Sequence, residues 1–280
     1  MTDATRYLPG LDERSVVVRG TRLRYFVGGS GPPLILVHGF SGAASNWADL
    51  APALARTRRI LVPDLPGHGG SAPLPAAPNL DVFADCVAAL AERESMVPAD
   101  VAGHSLGGAV AVRLAVRRSA HVRRLVLLAS AGIGSATRSA EVWLNFFGVV
   151  RPGRRLGRLR SLIAARPRLR LPVFGPWSVS DGTALSELGT LGLLAGPELH
   201  TDTLSAGRAL TRDDTRLDLE RIACPSLVLW GARDRQVPIG DAFEYARRLR
   251  APLRVIPDCG HLLIGERPDA CLDAISIFLG

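Results

Sequence analysis

Short apolar segments alternate with helical patterns through the first half of the chain, and this alternation restricts the possible folds more than any other feature. Residues 34–37 form a continuous apolar run, as expected of a strand buried on both faces of a parallel sheet. Residues 59–62, 100–103 and 125–129 also predict strands, whereas residues 80–94 show helical periodicity. This order predicts an α/β fold with a mostly parallel central sheet flanked by helices.

Both ends of the chain add to this sheet. Residues 15–18 and 23–27 predict an opening antiparallel pair around Arg19-Gly20-Thr21. Near the C-terminus, strand patterns at 226–230 and 253–256 alternate with helical patterns at 239–249 and 270–279.

The segment between these halves breaks the alternation. Residues 132–206 carry helical patches and several Pro-Gly or Gly-Pro breaks but no strand pattern. A stretch of this length is too long for a simple loop. We therefore predict a helical cap at 132–206, inserted after the sixth strand, and a core made of residues 1–131 and 207–280.

The positive charge is concentrated in that cap. The net charge is +8, and all 34 basic residues are arginine. Eight of them lie from Arg151 to Arg170, and no acidic residue occurs between Val142 and Ser180. The rest of the chain is therefore balanced. A general nucleic-acid binder would spread its basic residues along a groove with interleaved aromatics, so we predict no nucleic-acid partner.

Three interpretations of the Arg151 to Arg170 segment remain open. Leu156, Leu159 and Ile163 recur at helical spacing between the arginines, which predicts a basic amphipathic helix. Its apolar side could cover the active site while the arginines are solvated. It could instead contact an anionic membrane surface, or its guanidinium groups could hold a carboxylate or phosphate of the substrate.

Cysteine usage and the N-terminus bear on the compartment. The four cysteines show no paired or metal-type spacing and fit buried free thiols in a reducing environment: Cys86, Cys224, Cys259 and Cys271. Residues 1–12 lack the apolar core of a signal peptide, and no apolar run has the length of a membrane span. We predict a cytoplasmic protein.

A Gly-x-Ser-x-Gly sequence spans Gly103, Ser105 and Gly107, between a predicted strand and a predicted helix. A serine at such a junction needs a sharp turn, and small residues on either side let that turn close. The serine hydroxyl then projects beside a helix N-terminus, which favours developing negative charge. This context predicts that Ser105 is a nucleophile.

Three further motifs accompany this serine in a defined order. His38-Gly39-Phe40 follows the first buried strand, residues 64–71 read Asp-x-x-Gly-x-Gly-x-Ser, and two loops near the end carry Asp234 and His261. With these motifs the chain resembles the α/β-hydrolase superfamily over nearly its whole length, in particular serine esterase- and lipase-like members with a helical cap. The resemblance implies a catalytic triad in the order Ser105, Asp234, His261.

The residue types agree with these roles. A serine hydroxyl is a poor nucleophile until a base removes its proton, and an ordinary imidazole titrates near neutrality. A carboxylate on the other ring nitrogen orients the imidazole. Asp258 and Asp241 compete with Asp234 for that role; we interpret Asp258 as a turn residue and Asp241 as a helix cap.

The resemblance also assigns an oxyanion hole to the backbone N–H groups of Phe40 and Leu106. We predict supporting or pocket positions for His38, His104 and the Phe40 side chain. Trp47 fits a pocket wall and the core equally well. We interpret His68 as a residue of the Gly-rich turn, and His121 and His200 as surface or cap residues. None has metal-ligand spacing, so we predict no metal and no cofactor.

The predicted reaction is hydrolysis of a small, apolar carboxylic ester through an acyl-enzyme. A serine nucleophile argues against epoxide hydrolases and haloalkane dehalogenases, relatives that use Asp at this position. A carbon–carbon bond hydrolase of ring-cleavage products is an alternative, although His261 is followed by Leu262 and not by the Trp that those relatives tend to carry. A thioesterase, an acyltransferase, a cofactor-free peroxidase and a ligand-binding receptor on the same fold also remain open.

Overall fold

A computed structural model describes residues 6–76, 78–134, 157–199 and 202–280. Its centre is an eight-stranded sheet in the spatial order β1-β2-β4-β3-β5-β6-β7-β8. The pairs β1–β2 and β2–β4 are antiparallel and the others are parallel. The strands are β1 (Leu11–Val18), β2 (Thr21–Gly28), β3 (Pro33–Val37), β4 (Arg59–Pro63), β5 (Ala99–His104), β6 (Val122–Leu128), β7 (Ser226–Gly231) and β8 (Leu253–Ile256).

Helices connect and flank these strands. In chain order they are α1 (Ala51–Leu54), α2 (Leu80–Arg93), α3 (Leu106–Arg117), α4 (Arg160–Ala165), α5 (Pro167–Phe174), α6 (Glu187–Leu199), α7 (Thr203–Thr211), α8 (Ile239–Leu249), α9 (Leu263–Glu266) and α10 (Pro268–Leu279). The predicted α/β fold is therefore confirmed. Of the helices described, none combines the length and the apolar character that crossing a bilayer requires.

The insertion after β6 is helical. Helices α4 to α7 lie between β6 and β7, and the described residues of this insertion contain no strand. Ser45 Oγ donates a 2.8 Å hydrogen bond to the Gly192 carbonyl, which ties α6 to the core. The boundary predicted between residues 206 and 207 falls inside α7, and the division into core and cap stays a prediction.

The parallel register brings the strand ends together. Val37 of β3 pairs with Gly103 of β5, and Gly231 of β7 pairs with Ile256 of β8. Because parallel strands share one direction, the loops that follow them emerge at one edge of the sheet. The predicted site residues all belong to these loops or to the elements beside them.

Candidate active site

Ser105 occupies a sharp turn between β5 and α3. Its backbone angles, φ 52° and ψ −118°, lie in a region that side chains rarely adopt. A Cβ atom at Gly103 would lie 2.3 Å from the Gly107 carbonyl oxygen, and one at Gly107 would lie 2.2 Å from the Val37 oxygen. Only glycine fits at these two positions, so the flanking glycines make the turn possible.

Ser105, His261 and Asp234 form one continuous hydrogen-bonded chain. The Ser105 Oγ to His261 Nε2 distance is 3.0 Å, and the His261 Nδ1 to Asp234 Oδ2 distance is 2.8 Å. The second oxygen of Asp234 accepts from the amides of Gln236 and Val237 at 2.8 and 2.9 Å. These bonds fit an imidazole with its proton on Nδ1, which leaves Nε2 free to accept the serine proton.

The two competing acids lie elsewhere. Asp258 is exposed and forms an ion pair with Arg233. Asp241 is buried and accepts a 2.6 Å hydrogen bond from the Gly134 amide, and burial raises the pKa of Asp241. The predicted capping role of Asp241 is wrong, because α8 begins after Pro238 and places this residue within the first turn.

The amides of Phe40 and Leu106 are the two donors that the resemblance assigns to an oxyanion hole. Within the part of the chain that the structure describes, neither amide donates to any protein acceptor. A Cβ atom at Gly39 would lie 3.1 Å from Ser105 Cβ, so this glycine lets the Phe40 loop approach the serine closely. Leu106 is the first residue of α3, where the helix dipole favours negative charge.

The two predicted supporting histidines bond to the backbone of neighbouring loops. Leu65 N donates to His38 Nε2 at 3.0 Å, so the ring proton of His38 is on Nδ1, which donates to the Gly39 carbonyl at 2.8 Å. His104 Nε2 lies 2.9 Å from the His261 carbonyl oxygen. Burial lowers the pKa of His38, and burial together with the neighbouring His261 lowers the pKa of His104 to about 3. Both rings therefore stay neutral and hold the loops in place.

The aromatic side chains of Phe40 and Trp47 differ in burial. Phe40 is half-buried and packs edge-on against His68, with 6.3 Å between ring centroids. Trp47 is completely buried within the main hydrophobic core, and a part for it in the pocket wall stays a prediction. His121 contacts Glu92, and His200 lies outside the described residues. Among the described side chains, no group of three or more His, Cys, Asp or Glu could hold a metal ion.

Asp64 joins the predicted Gly-rich turn to the oxyanion loop. Its Oδ1 accepts from the Ala44 amide at 2.7 Å. Its Oδ2 accepts from Arg24 Nε at 2.5 Å and from the Gly70 amide at 2.8 Å. This completely buried carboxylate therefore bonds to three separate segments of the chain.

Glu266 is a site residue that the sequence reasoning missed. It is buried on α9, five residues after His261. Its carboxylate accepts from the Gly260 amide at 2.7 Å, and from the Ser180 and Asp181 amides at 2.9 and 2.7 Å. Burial raises the pKa of Glu266, although the three amide donors oppose this effect. The signal available in the sequence was a glutamate directly after the apolar residues 262–265.

The arginine-rich segment differs from its prediction. Ile163 is buried but Leu159 is exposed, so the predicted apolar stripe is wrong at Leu159; Leu156 lies outside the described residues. Arg170 is buried and donates to the carbonyls of Ala164 and Leu185. That guanidinium is thus structural, and neither solvated nor open to a substrate.

The chain is similar in sequence to several known proteins. A model of the alpha/beta hydrolase family matches residues 34–274. The dihydrolipoyllysine-residue acetyltransferase component of the acetoin cleaving system of Pseudomonas putida is 33% identical over 266 residues, covering 94% of this chain and 68% of that protein. The 2-hydroxymuconate semialdehyde hydrolase of Pseudomonas sp. strain CF600 is 37% identical over 124 residues, covering 43% and 44%. The pimeloyl-(acyl-carrier protein) methyl ester esterase of Nitrosomonas europaea is 32% identical over 259 residues, covering 88% and 96%.

Proposed function

Since the chain belongs to the alpha/beta hydrolase family, we propose that it is a serine hydrolase that cleaves carboxylic esters. One observation carries this proposal: the unbroken hydrogen-bonded chain from Ser105 through His261 to Asp234. It lies beside two amides, of Phe40 and Leu106, that have no protein acceptor in the described residues. Nucleophile, base, orienting acid and anion donors are the parts that acyl transfer requires.

In the proposed reaction, His261 Nε2 removes the proton of Ser105 as Oγ attacks the ester carbonyl carbon. The carbonyl oxygen becomes an oxyanion and accepts from the amides of Leu106 and Phe40. The tetrahedral intermediate collapses, the C–O bond to the alcohol breaks, and His261 protonates the departing alkoxide. Water then loses a proton to His261 and attacks the acyl-enzyme, which releases the acid and restores Ser105. Asp234 stabilises the transient imidazolium.

One of the relatives supports an ester bond as the target. The relative matched over 96% of its length is a methyl ester esterase. A carbon–carbon bond hydrolase is the second candidate, because the 2-hydroxymuconate semialdehyde hydrolase is 37% identical over 124 residues. Leu262 and Leu263 follow His261 here, which weighs against that candidate. Both candidates use the same three side chains.

The nucleophile is tested by labelling with a fluorophosphonate. We expect one covalent label, on Ser105, and loss of labelling and ester turnover in Ser105→Ala. Ser226→Ala is the matched control. Ser226 is also buried, but it is the first residue of β7 and so lies at the edge of the sheet opposite to the loop of Ser105. Labelling of another residue, or turnover by Ser105→Ala near that of the parent, would reject the mechanism. A chain that takes no label would instead behave as a ligand-binding protein.

The bond type is tested with a substrate panel. Aryl esters of graded acyl length are compared with a vinylogous diketone of the ring-cleavage type and with an acyl thioester. We expect the highest kcat/KM on an ester. Faster cleavage of the diketone would select the carbon–carbon bond hydrolase instead.

A further inference from the structure

Exposed apolar side chains are concentrated on the insertion. Four large ones lie within residues 157–177 and are between 40% and 51% exposed: Leu159, Leu162, Leu171 and Trp177. We call these four, with the arginines named below, the cap surface. Several large apolar side chains exposed within one short segment mark a binding surface more often than a single exposed residue does.

Three arginines on the cap surface have no partner among the residues that the structure describes. Arg158, Arg166 and Arg168 are exposed, and no ion pair or side-chain hydrogen bond involves them among the described residues. The sequence from Val142 to Ser180 contains no acidic residue that could neutralise them. The cap surface is therefore apolar and positively charged at once.

We propose that the cap surface docks on an anionic lipid bilayer. Tryptophan and leucine side chains enter the interfacial region of a bilayer, and arginines beside them bind the headgroup phosphates. Each basic residue near an anionic membrane contributes about 1 kcal/mol. An acidic protein surface would also attract these arginines. The lipid surface fits better, because positive charge and large exposed apolar side chains occur in the same short segment.

The position of the cap surface connects it to the active site. Trp177 precedes Ser178, whose carbonyl accepts a 3.0 Å hydrogen bond from the Leu262 amide. Ser178 Oγ accepts from Gln236 Nε2, next to the loop that carries Asp234. The bonds of Arg170 to Ala164 and Leu185 join α4 and α5 to the following turn. A bilayer bound at this surface would thus lie beside the loops of His261 and Asp234.

The test is co-sedimentation of the full chain with vesicles of phosphatidylcholine, with and without phosphatidylglycerol. We expect binding to the anionic vesicles alone, and its loss at 1 M salt, where the Debye length falls to roughly 3 Å. Arg158→Gln/Arg166→Gln/Arg168→Gln should weaken binding on the order of 100-fold. The control Arg22→Gln/Arg56→Gln/Arg254→Gln removes the same charge from exposed positions outside the insertion and should bind within about threefold of the parent.

A second pair of variants tests the apolar side chains. Leu159→Ser/Trp177→Ser should weaken vesicle binding at least tenfold, whereas Leu217→Ser/Ile277→Ser, at positions exposed elsewhere, should not. All four variants should retain turnover of a small soluble ester. Vesicle binding needs no turnover, so its result is independent of the proposed function. The proposal would be overturned if the parent did not bind anionic vesicles, or if the control variants weakened binding equally. It would also be overturned if the parent bound polyglutamate but not vesicles. The proposal would also be overturned if Arg158→Gln/Arg166→Gln/Arg168→Gln lost activity on anionic esters while its binding to vesicles stayed unchanged.

Discussion

Glu266 holds the amide of Gly260, the residue immediately before His261, at 2.7 Å. Its other oxygen holds Ser180 and Asp181 of the insertion. One buried carboxylate therefore fixes the loop of the candidate base and docks the insertion against it. This arrangement makes Glu266 a positioning residue, since it acts on the reaction through the backbone beside His261.

Glu266→Gln should separate this role from a general contribution to stability. The glutamine side chain keeps one acceptor oxygen, but its NH2 group faces either the Gly260 amide or the amides of Ser180 and Asp181. One of these two attachments is therefore lost. We expect kcat on a soluble ester to fall about 10- to 100-fold, which corresponds to one charge-assisted hydrogen bond, with KM nearly unchanged. Steady-state kinetics measure both.

Asp100→Asn is the matched control for Glu266→Gln. Asp100 is as deeply buried and is held by Arg58 and Arg123 at the opposite end of β5. The control should lower stability without lowering kcat. If both variants leave kcat at the parent value, Glu266 is only structural.

The identity of the acid rests on a comparison of two aspartates. Asp234→Asn should lower kcat by a factor on the order of 10³ to 10⁴, because an amide favours the wrong imidazole tautomer. Asp258→Asn removes an exposed ion pair with Arg233 and should change kcat little. Kinetics on the same ester compare the two variants. The reverse order of effects would transfer the role to Asp258.

Stability should fall in mild acid because of His104. Burial, with the adjacent His261, lowers the pKa of His104 to about 3, whereas a histidine of the unfolded chain has a pKa near 6.5. Between these values the unfolded chain binds a proton that the folded chain does not. The contribution of neutral His104 to the free energy of unfolding is thus complete above pH 6.5. It is lost progressively as the pH falls, by about 1.4 kcal/mol per pH unit. His38, whose pKa is also lowered, acts in the same direction.

Urea unfolding of the parent and of His104→Gln between pH 8 and pH 5 measures this contribution. Glutamine can still bond to the His261 carbonyl but does not titrate, so its unfolding free energy should depend less steeply on pH. Parallel curves for the two proteins would show that His104 does not contribute.

The glycines of the turn around Ser105 give a fourth prediction. Gly107→Ala places a methyl group 2.2 Å from the Val37 oxygen, so β3 and α3 must separate, at a cost of about 1–3 kcal/mol. Gly240→Ala, on α8, meets no atom within 4 Å and should stabilise the fold by up to about 1 kcal/mol. Urea unfolding gives both values. Equal effects of the two substitutions would mean that the turn tolerates a side chain.

Much of the sheet could be predicted from local patterns. The two C-terminal ranges 239–249 and 253–256 agree with α8 and β8, because one is strongly amphipathic and the other is a short run bounded by turns. β1 begins at Leu11, earlier than predicted. The prediction missed this start because Asp12, Glu13 and Arg14 are polar and exposed. Such an edge strand is defined by its pairing with β2, which local hydrophobicity does not reveal.

The proximity of Ser105, His261 and Asp234 followed from motif order and strand direction. What could not be predicted depended on contacts between distant segments. Glu266 became visible only when the fold brought Ser180 next to Gly260. The burial of Arg170 and the exposure of Leu159 depend on how short helices α4 and α5 pack, and periodicity in one segment does not determine that packing.

The bonds of Asp64 to Arg24, Ala44 and Gly70 limit how this chain can be recombined with its relatives. A crossover anywhere between positions 24 and 70 takes the carboxylate from one parent and at least one of its partners from the other. Where the other parent has no arginine at position 24, the hybrid leaves the buried Asp64 carboxylate without its charged donor, which costs several kcal/mol. In a library of chimaeras, folded members should therefore inherit this block of residues from a single parent.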